Sequence, residues 1–350
     1  MTESDFASPL LAHLRAALEA PDVEYSEAPA PITGGFDTLT YGLRLRATSA
    51  ELCSPLILRV FRADHPSVAL APAERARFES AVQNSIAHLG FPAPRVIHTC
   101  TDPEIIGAPF VIMERLPGRI MLDFFFRPSI SWPRLPRLLA EAHARLHSLD
   151  PRPLELAARE LSMPVELLKR IDQEEMAFRI ERGALEGLRN GIRWLVDHQP
   201  PKPRSPTVCH GDFHPLNILI NKGEVSGVID WTYVRIGDPA YDVGATIAIF
   251  SQGPVDLPAF AQPVIGLFRR WIMARYYKAY QRIQTIDTSA VRYHEALRCM
   301  GFLVEAGEHR QAALGVIPKP EKPTAFAAPR TVRGIVTRFR EITGVGVSIP

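Results

Sequence analysis

Cysteine is scarce in this chain: four in 350 residues, at positions 53, 100, 209 and 299, with no C-x-x-C pair. That spacing argues for reduced thiols in a cytosolic protein, and against a disulfide framework or structural zinc. A surplus of one charge is missing too. Forty Lys plus Arg stand against 38 Asp plus Glu, a net charge of +2, which lacks the basic footprint of a nucleic-acid binder. No apolar run approaches the ~18 residues needed to span a bilayer. The opening Met1-Thr-Glu-Ser-Asp-Phe is acidic and polar, unlike a signal peptide. Internal repeats and long low-complexity tracts are absent as well. The expectation is a soluble, cytoplasmic protein with no nucleic-acid partner and no stable membrane insertion. Its length suffices for two lobes with separate cores.

What is present centres on Thr207-Val-Cys-His-Gly-Asp-Phe-His-Pro-Leu-Asn-Ile-Leu-Ile-Asn221, closed by Val228-Ile-Asp-Trp231. His210, Asp212 and Asn217 fit the H-x-D-x-x-x-x-N catalytic loop of phosphoryl-transfer enzymes. That chemistry needs a carboxylate at the substrate hydroxyl and, a few residues on, an amide oxygen on a metal ion. Ile218–Ile220, a turn at Asn221-Lys-Gly-Glu224, and Val225–Ile229 then read as a β-hairpin. It returns the chain beside the loop and delivers Asp230 as a second metal ligand. A hard cation such as Mg²⁺ favours so few protein oxygens, with phosphate and water supplying the rest.

His210-Gly-Asp-Phe-His-Pro-Leu-Asn217, Ile229-Asp-Trp231 and Gly237-Asp-Pro-Ala-Tyr-Asp242 together resemble the aminoglycoside phosphotransferase family of small-molecule kinases. The match is specific across about residues 205–245, looser over roughly 30–310, and leaves out both ends. The resemblance implies a two-lobed, protein-kinase-like α+β fold with an antiparallel sheet in the small N-terminal lobe and a mainly helical C-terminal lobe. The expected divisions are residues 1–116, residues 117–315, and a tail over 316–350.

Along the chain, Leu10, Leu11, Leu14 and Leu18 carry helical spacing, and Leu39, Tyr41, Leu43 and Leu45 alternate as a strand. Before that strand, Gly34-Gly35 suits close approach to phosphate or an ordinary hairpin turn. The resemblance favours phosphate, although the full G-x-G-x-x-G is missing and Asp37 adds a negative charge. Arg59 lies inside the apolar run Leu56–Phe61 and needs a partner if buried. Kinase-like folds place a phosphate-binding Lys on this strand, paired with a helix Glu. Arg fills that place here, with Glu79 the first choice of partner and Glu74 the second. Met113, Glu114 and Leu116 sit where the resemblance implies a hinge that bonds the adenine edge through its backbone.

His143 and His147 have the spacing of a zinc pair but lack the H-E-x-x-H glutamate, so they read as scaffold. Five acidic residues within 171–186 suit either a polyamine acceptor or, more simply, a solvated helix face. Only seven residues separate Asp230 from Asp238, too few for the activation segment of a peptide kinase. Asp242 is expected to bond the catalytic-loop backbone. The tail carries six basic and two acidic residues, and Thr331–Thr343 reads as a short basic helix that docks on the core.

The resulting expectation is an ATP-dependent phosphotransferase, with GTP as the other possible donor, that moves the γ-phosphate to a hydroxyl of a small molecule. An aminoglycoside- or macrolide-like antibiotic, a sugar and an amino alcohol all fit as acceptor. Asp212 would orient the hydroxyl, Asn217 and Asp230 would hold Mg²⁺, Arg59 would steady the phosphates, and His210 would support the loop. A nucleotide-binding regulatory module with little turnover is the alternative, left open by Arg59 and the incomplete glycine loop.

Overall fold

The computed structural model describes residues 6–32, 38–46, 52–62, 70–125, 132–163, 165, 168, 172–254, 262–320 and 324–350. Gly34, Gly35 and Asp37 lie outside the described residues. The chain divides into two compact units.

The first unit comprises residues 1–119, 152–164 and 219–229. Helix α1 (Ala7–Ala17) is followed by β1 (Glu24–Pro31), β2 (Leu39–Arg46) and β3 (Pro55–Val60), then α2 (Pro72–His88), β4 (Val96–Cys100) and β5 (Phe110–Glu114). The strands form an antiparallel sheet in the order β1-β2-β3-β5-β4. Side chains alternate across a strand, so β3 sends Leu56 and Leu58 into a core with Leu10 and Leu14 of α1, Leu43, Leu45, Phe110 and Ile112. Arg59 alternates to the opposite face, where Phe61, Ala76 of α2 and Val111 form a smaller cluster. Helix α2 starts with Pro at its first turn, and Glu74 accepts the Ala71 N–H at 3.0 Å. It stops before Gly90, whose φ of +77° is left-handed.

Strand β6 (Arg119–Ile120) leads into α3 (Met121–Phe125), α4 (Leu135–His147) and α5 (Arg152–Glu160), the last packing on α2 in the first unit. The second unit continues with α6 (Asp172–Arg182), α7 (Arg189–Asp197) and β7 (Thr207–Cys209). The expected hairpin is β8 (Ile218–Asn221) and β9 (Glu224–Val228), which pairs in the order β6-β8-β9. Strand β10 (Arg235–Gly237) lies antiparallel to β7. Helices α8 (Pro239–Gln252), α9 (Gln262–Gln281), α10 (Thr288–Ala313) and α11 (Pro329–Thr343) complete the unit.

The tail helix α11 is docked. Its buried Val332, Ile335 and Phe339 join Leu297, Met300, Phe302 and Leu303 of α10 in one core, and Arg338 makes a two-pronged pair with Glu295 at 2.7 and 2.9 Å. Among the described residues, no helix is long and apolar enough to cross a membrane.

Candidate active site

Antiparallel pairing of β7 with β10 sets where the catalytic loop begins, with Cys209 opposite Arg235. At the next turn Gly211 has φ +82°, and a Cβ there would lie 2.2 Å from the Tyr233 carbonyl oxygen, so only glycine fits. Asp242, in the first turn of α8, clamps this turn. Its two carboxylate oxygens accept the N–H groups of His210 at 2.5 Å and Gly211 at 2.7 Å.

Asp242 is fully buried, and His143 Nε2 and His147 Nε2 lie 3.2 and 3.4 Å from its Oδ2. The Nδ1 atoms of these rings meet the hydroxyls of Tyr276 and Tyr280, each at 2.6 Å. Burial alone would raise the Asp242 carboxyl, but hydrogen bonds from the two histidines hold it well below the ordinary range. Burial and the neighbouring His147 push His143 down to about 3, so its ring is neutral. The ring also stacks on Phe213 at 3.9 Å, and the Phe213 carbonyl accepts from Thr246 Oγ1 at 2.6 Å. Every contact in this network carries the fold of α4, α8 or α9 into the loop. The i, i+4 histidines are scaffold.

Asp212 sits at the centre of the loop with both oxygens engaged. Arg298 Nη2 of α10 reaches Oδ1 at 3.0 Å, while His214 Nε2 and Asn217 Nδ2 reach Oδ2 at 3.1 and 3.3 Å. Burial pushes its acidity one way, but His214, Arg298 and His210 outweigh it and hold the carboxyl well below its usual range. A carboxylate so surrounded is a weak base and a well-oriented acceptor of hydrogen bonds. His210 itself is fully buried between Trp231 and Phe213, and its Nδ1 accepts the Asp212 N–H at 3.2 Å. It shapes the loop from behind.

Asn217 Nδ2 also donates to the Asp212 carbonyl at 3.0 Å, which fixes the orientation of the amide. Asp230 has φ +66°, a left-handed conformation that Asp tolerates better than most residues, and its Oδ1 accepts from Thr232 Oγ1 at 2.8 Å. Both residues offer oxygen, the donor type that suits Mg²⁺.

In the first unit, Arg59 is 7% exposed and Glu79 5%. Arg59 Nη1 lies 2.9 Å from Glu79 Oε2, and its Nε donates to Thr38 Oγ1 at 2.9 Å. Glu79 Oε1 takes a second guanidinium, Arg75 Nε, at 2.6 Å. Glu74 is occupied with the start of α2, so Glu79 is the partner of Arg59. Around the hinge, the Glu114 N–H goes to the Arg95 carbonyl and the Arg115 N–H to the Pro55 carbonyl, both at 2.9 Å. These two donors serve the sheet. Met113 pairs with Ile57 across β3, and Leu116 packs on Gly227.

The acidic stretch before the loop is a solvated surface: Glu181 and Glu186 both pair with Arg189 and are more than half exposed. Sequence reasoning passed over His214, Arg75 and Arg298. His214 lies inside the motif and had a signal in its spacing from Asp212. Arg298, 86 residues from Asp212, had none.

The model of the phosphotransferase enzyme family matches residues 29–284. Acyl-CoA dehydrogenase family member 11 of Pongo abelii is 30% identical over 213 residues, covering 58% of this chain and 26% of that protein. The chain thus spans about a quarter of that relative's length. Among solved structures, a candidate aminoglycoside phosphotransferase of Ralstonia eutropha superposes with a TM-score of 0.67 at 17% identity, covering 97% of this chain and 99% of that one. A thermostable mutant of aminoglycoside phosphotransferase APH(4)-Ia, solved with AMP-PNP and hygromycin B, gives 0.56 at 16% identity, with 94% and 99% covered. These likenesses establish the kinase-like α+β fold.

Proposed function

Because the chain belongs to the phosphotransferase enzyme family, we propose that it transfers the γ-phosphate of ATP to a hydroxyl group of a small molecule. The observation that carries this reading is the state of Asp212. Its carboxylate is held ionised and aimed by Arg298, His214 and Asn217, on a loop whose backbone is clamped by Asp242. Such a group orients the acceptor hydroxyl and accepts its proton late, as suits a loose phosphoryl-transfer transition state.

Asn217 Oδ1 and the Asp230 carboxylate would hold Mg²⁺, whose charge would offset that of the nucleotide phosphates. Thr232 orients the Asp230 carboxylate for that task. Arg59, braced by Glu79, steadies the nucleotide phosphates. The sheet takes the Glu114 and Arg115 N–H groups, so the adenine edge would be met by the Leu116 backbone. The short stretch from Trp231 to Asp238 is taken up by β10, whose pairing with β7 supports a small-molecule acceptor over a peptide.

The dehydrogenase named in the curated relative is a different chemistry, and the match to that protein covers only a quarter of it. The test is transfer from γ-labelled ATP with Mg²⁺ to a panel of hydroxylated compounds: aminoglycosides, macrolides, sugars and amino alcohols. Acceptor-dependent transfer is expected, falling by about 10²–10⁴ in Asp212→Asn with folding retained. Turnover by that variant near the native rate would remove Asp212 from the reaction. Nucleotide binding without transfer to any acceptor would favour a regulatory module.

A further inference from the structure

A second cluster of chemistry-bearing side chains lies in the first unit, away from every motif discussed above. His13 of α1 faces His98 of β4, with their Nε2 atoms 2.9 Å apart. Cys100 is two residues along the same strand and so on the same face as His98. One imidazole nitrogen from each histidine and the Cys100 Sγ all lie within 4.8 Å of one another. We propose that His13, His98 and Cys100 form a binding site for Zn²⁺.

The donor set is that of a borderline-soft cation: two imidazoles and one thiolate, with no hard carboxylate among them. Zn–N bonds of about 2.0–2.1 Å and a Zn–S bond of about 2.3 Å set tetrahedral separations of about 3.3 Å between nitrogens and about 3.6 Å from nitrogen to sulfur. The two Nε2 atoms therefore need to part by only about 0.4 Å to admit the ion. The rings are already aimed. Phe110 packs against both, edge-on to His13 with centroids 5.7 Å apart and tilted to His98 at 6.1 Å.

The Sγ–metal bond would form as the thiol proton leaves to solvent. Both histidines are partly exposed, which gives the ion and a fourth, water ligand a way in. His13 precedes residue 29, where the family match begins, whereas His98 and Cys100 fall within it. The site's consequence is structural: a bound ion would fasten α1 to β4, elements that share one apolar core.

The experiment titrates the full chain with Co²⁺ in excess Mg²⁺, reading the thiolate-to-metal charge-transfer absorption, and measures zinc retained after dialysis. One equivalent with a thiolate band is expected. His13→Gln and Cys100→Ser should each weaken binding by at least tenfold, roughly the lower bound for disturbing even an outer-shell partner, while Cys53→Ser leaves it unchanged. His13→Gln, at a partly exposed helix position, decides the matter if Cys100→Ser fails to fold. An absent thiolate band would mean a plain histidine–histidine hydrogen bond and overturn the site. A band that survives His13→Gln, or is lost in Cys53→Ser, would do the same by placing the metal elsewhere.

Discussion

Glu79 in the first unit is gripped by two guanidiniums, Arg59 and Arg75, whereas Asp242 in the second is held by two backbone N–H groups and two histidine rings, His143 among them neutral. Both carboxylates are buried, and burying an ion requires that its hydrogen bonds be restored. The difference lies in what each carboxylate fixes. Glu79 fixes a charge, by setting the position of Arg59. Asp242 fixes a shape, because its donors are the loop itself and removing it frees the turn at His210–Gly211. A charge can be partly restored by another charged residue. A clamped backbone has no such substitute.

The largest effect should follow from loss of the clamp. Asp242→Ala leaves the His210 and Gly211 N–H groups and two histidines without their acceptor, and should cost about 3–5 kcal/mol of stability. Urea unfolding measures this, and a loss under about 1 kcal/mol would mean that water replaces the carboxylate. Asp242→Asn keeps one acceptor oxygen and should fall between native and Ala.

An intermediate effect is expected for the charge cluster. Arg59→Lys should keep part of the kcat/KM for ATP, because the charge stays while the planar fork is lost. Arg59→Ala should lose far more, and Glu79→Ala should cost less once Arg59 has been removed. A coupling of about 0.5–3 kcal/mol is expected for residues acting as one unit. Additive losses across the cycle would make Arg59 an ordinary strand residue.

A third comparison distinguishes the clusters by pH. His143 is pushed down to about 3 in the fold, from the ordinary 6.5 or so of an unfolded chain. Between those values the unfolded state binds the extra proton, so stability is fully present above about pH 6.5 and declines as pH falls toward 3, by ~1.4 kcal/mol per pH unit for one such group. The depressed carboxyls of Asp212 and Asp242 add a further loss below about pH 4. His143→Phe should flatten the slope between pH 6 and 4 in thermal unfolding scans. An unchanged slope would show that His143 does not carry it.

Much of the second unit's loop was legible in advance because its spacing is local. From His210 to Asn217, and through the hairpin to Asp230, a few residues of backbone decide which side chains converge, and the motif and the hairpin follow from that short span. The alternation of β2 and β3 and the helical repeat of α1 were equally readable, since each is a period of the local backbone. The tail helix was expected at Thr331–Thr343 and begins two residues earlier, at Pro329, where proline suits a first turn.

The choice of partner is a different kind of information. Glu74 and Glu79 both lie on α2, and the rotation of that helix on the sheet gave one to the N-terminal cap and the other to Arg59. Arg298 finds Asp212 across 86 residues, and His143 and His147 each meet a tyrosine 133 residues on. His13 and His98, 85 residues apart, meet only because α1 packs on the same face of the sheet that β4 presents. By itself the sequence determined the loop and its hairpin, the strand and helix periods and the short Asp230–Asp238 interval, because these depend on residues close along the chain. Which buried charges pair, and which histidines come together, was decided by tertiary packing. A side chain's reach is a few ångströms, and only the packed helices and sheet set what lies within it.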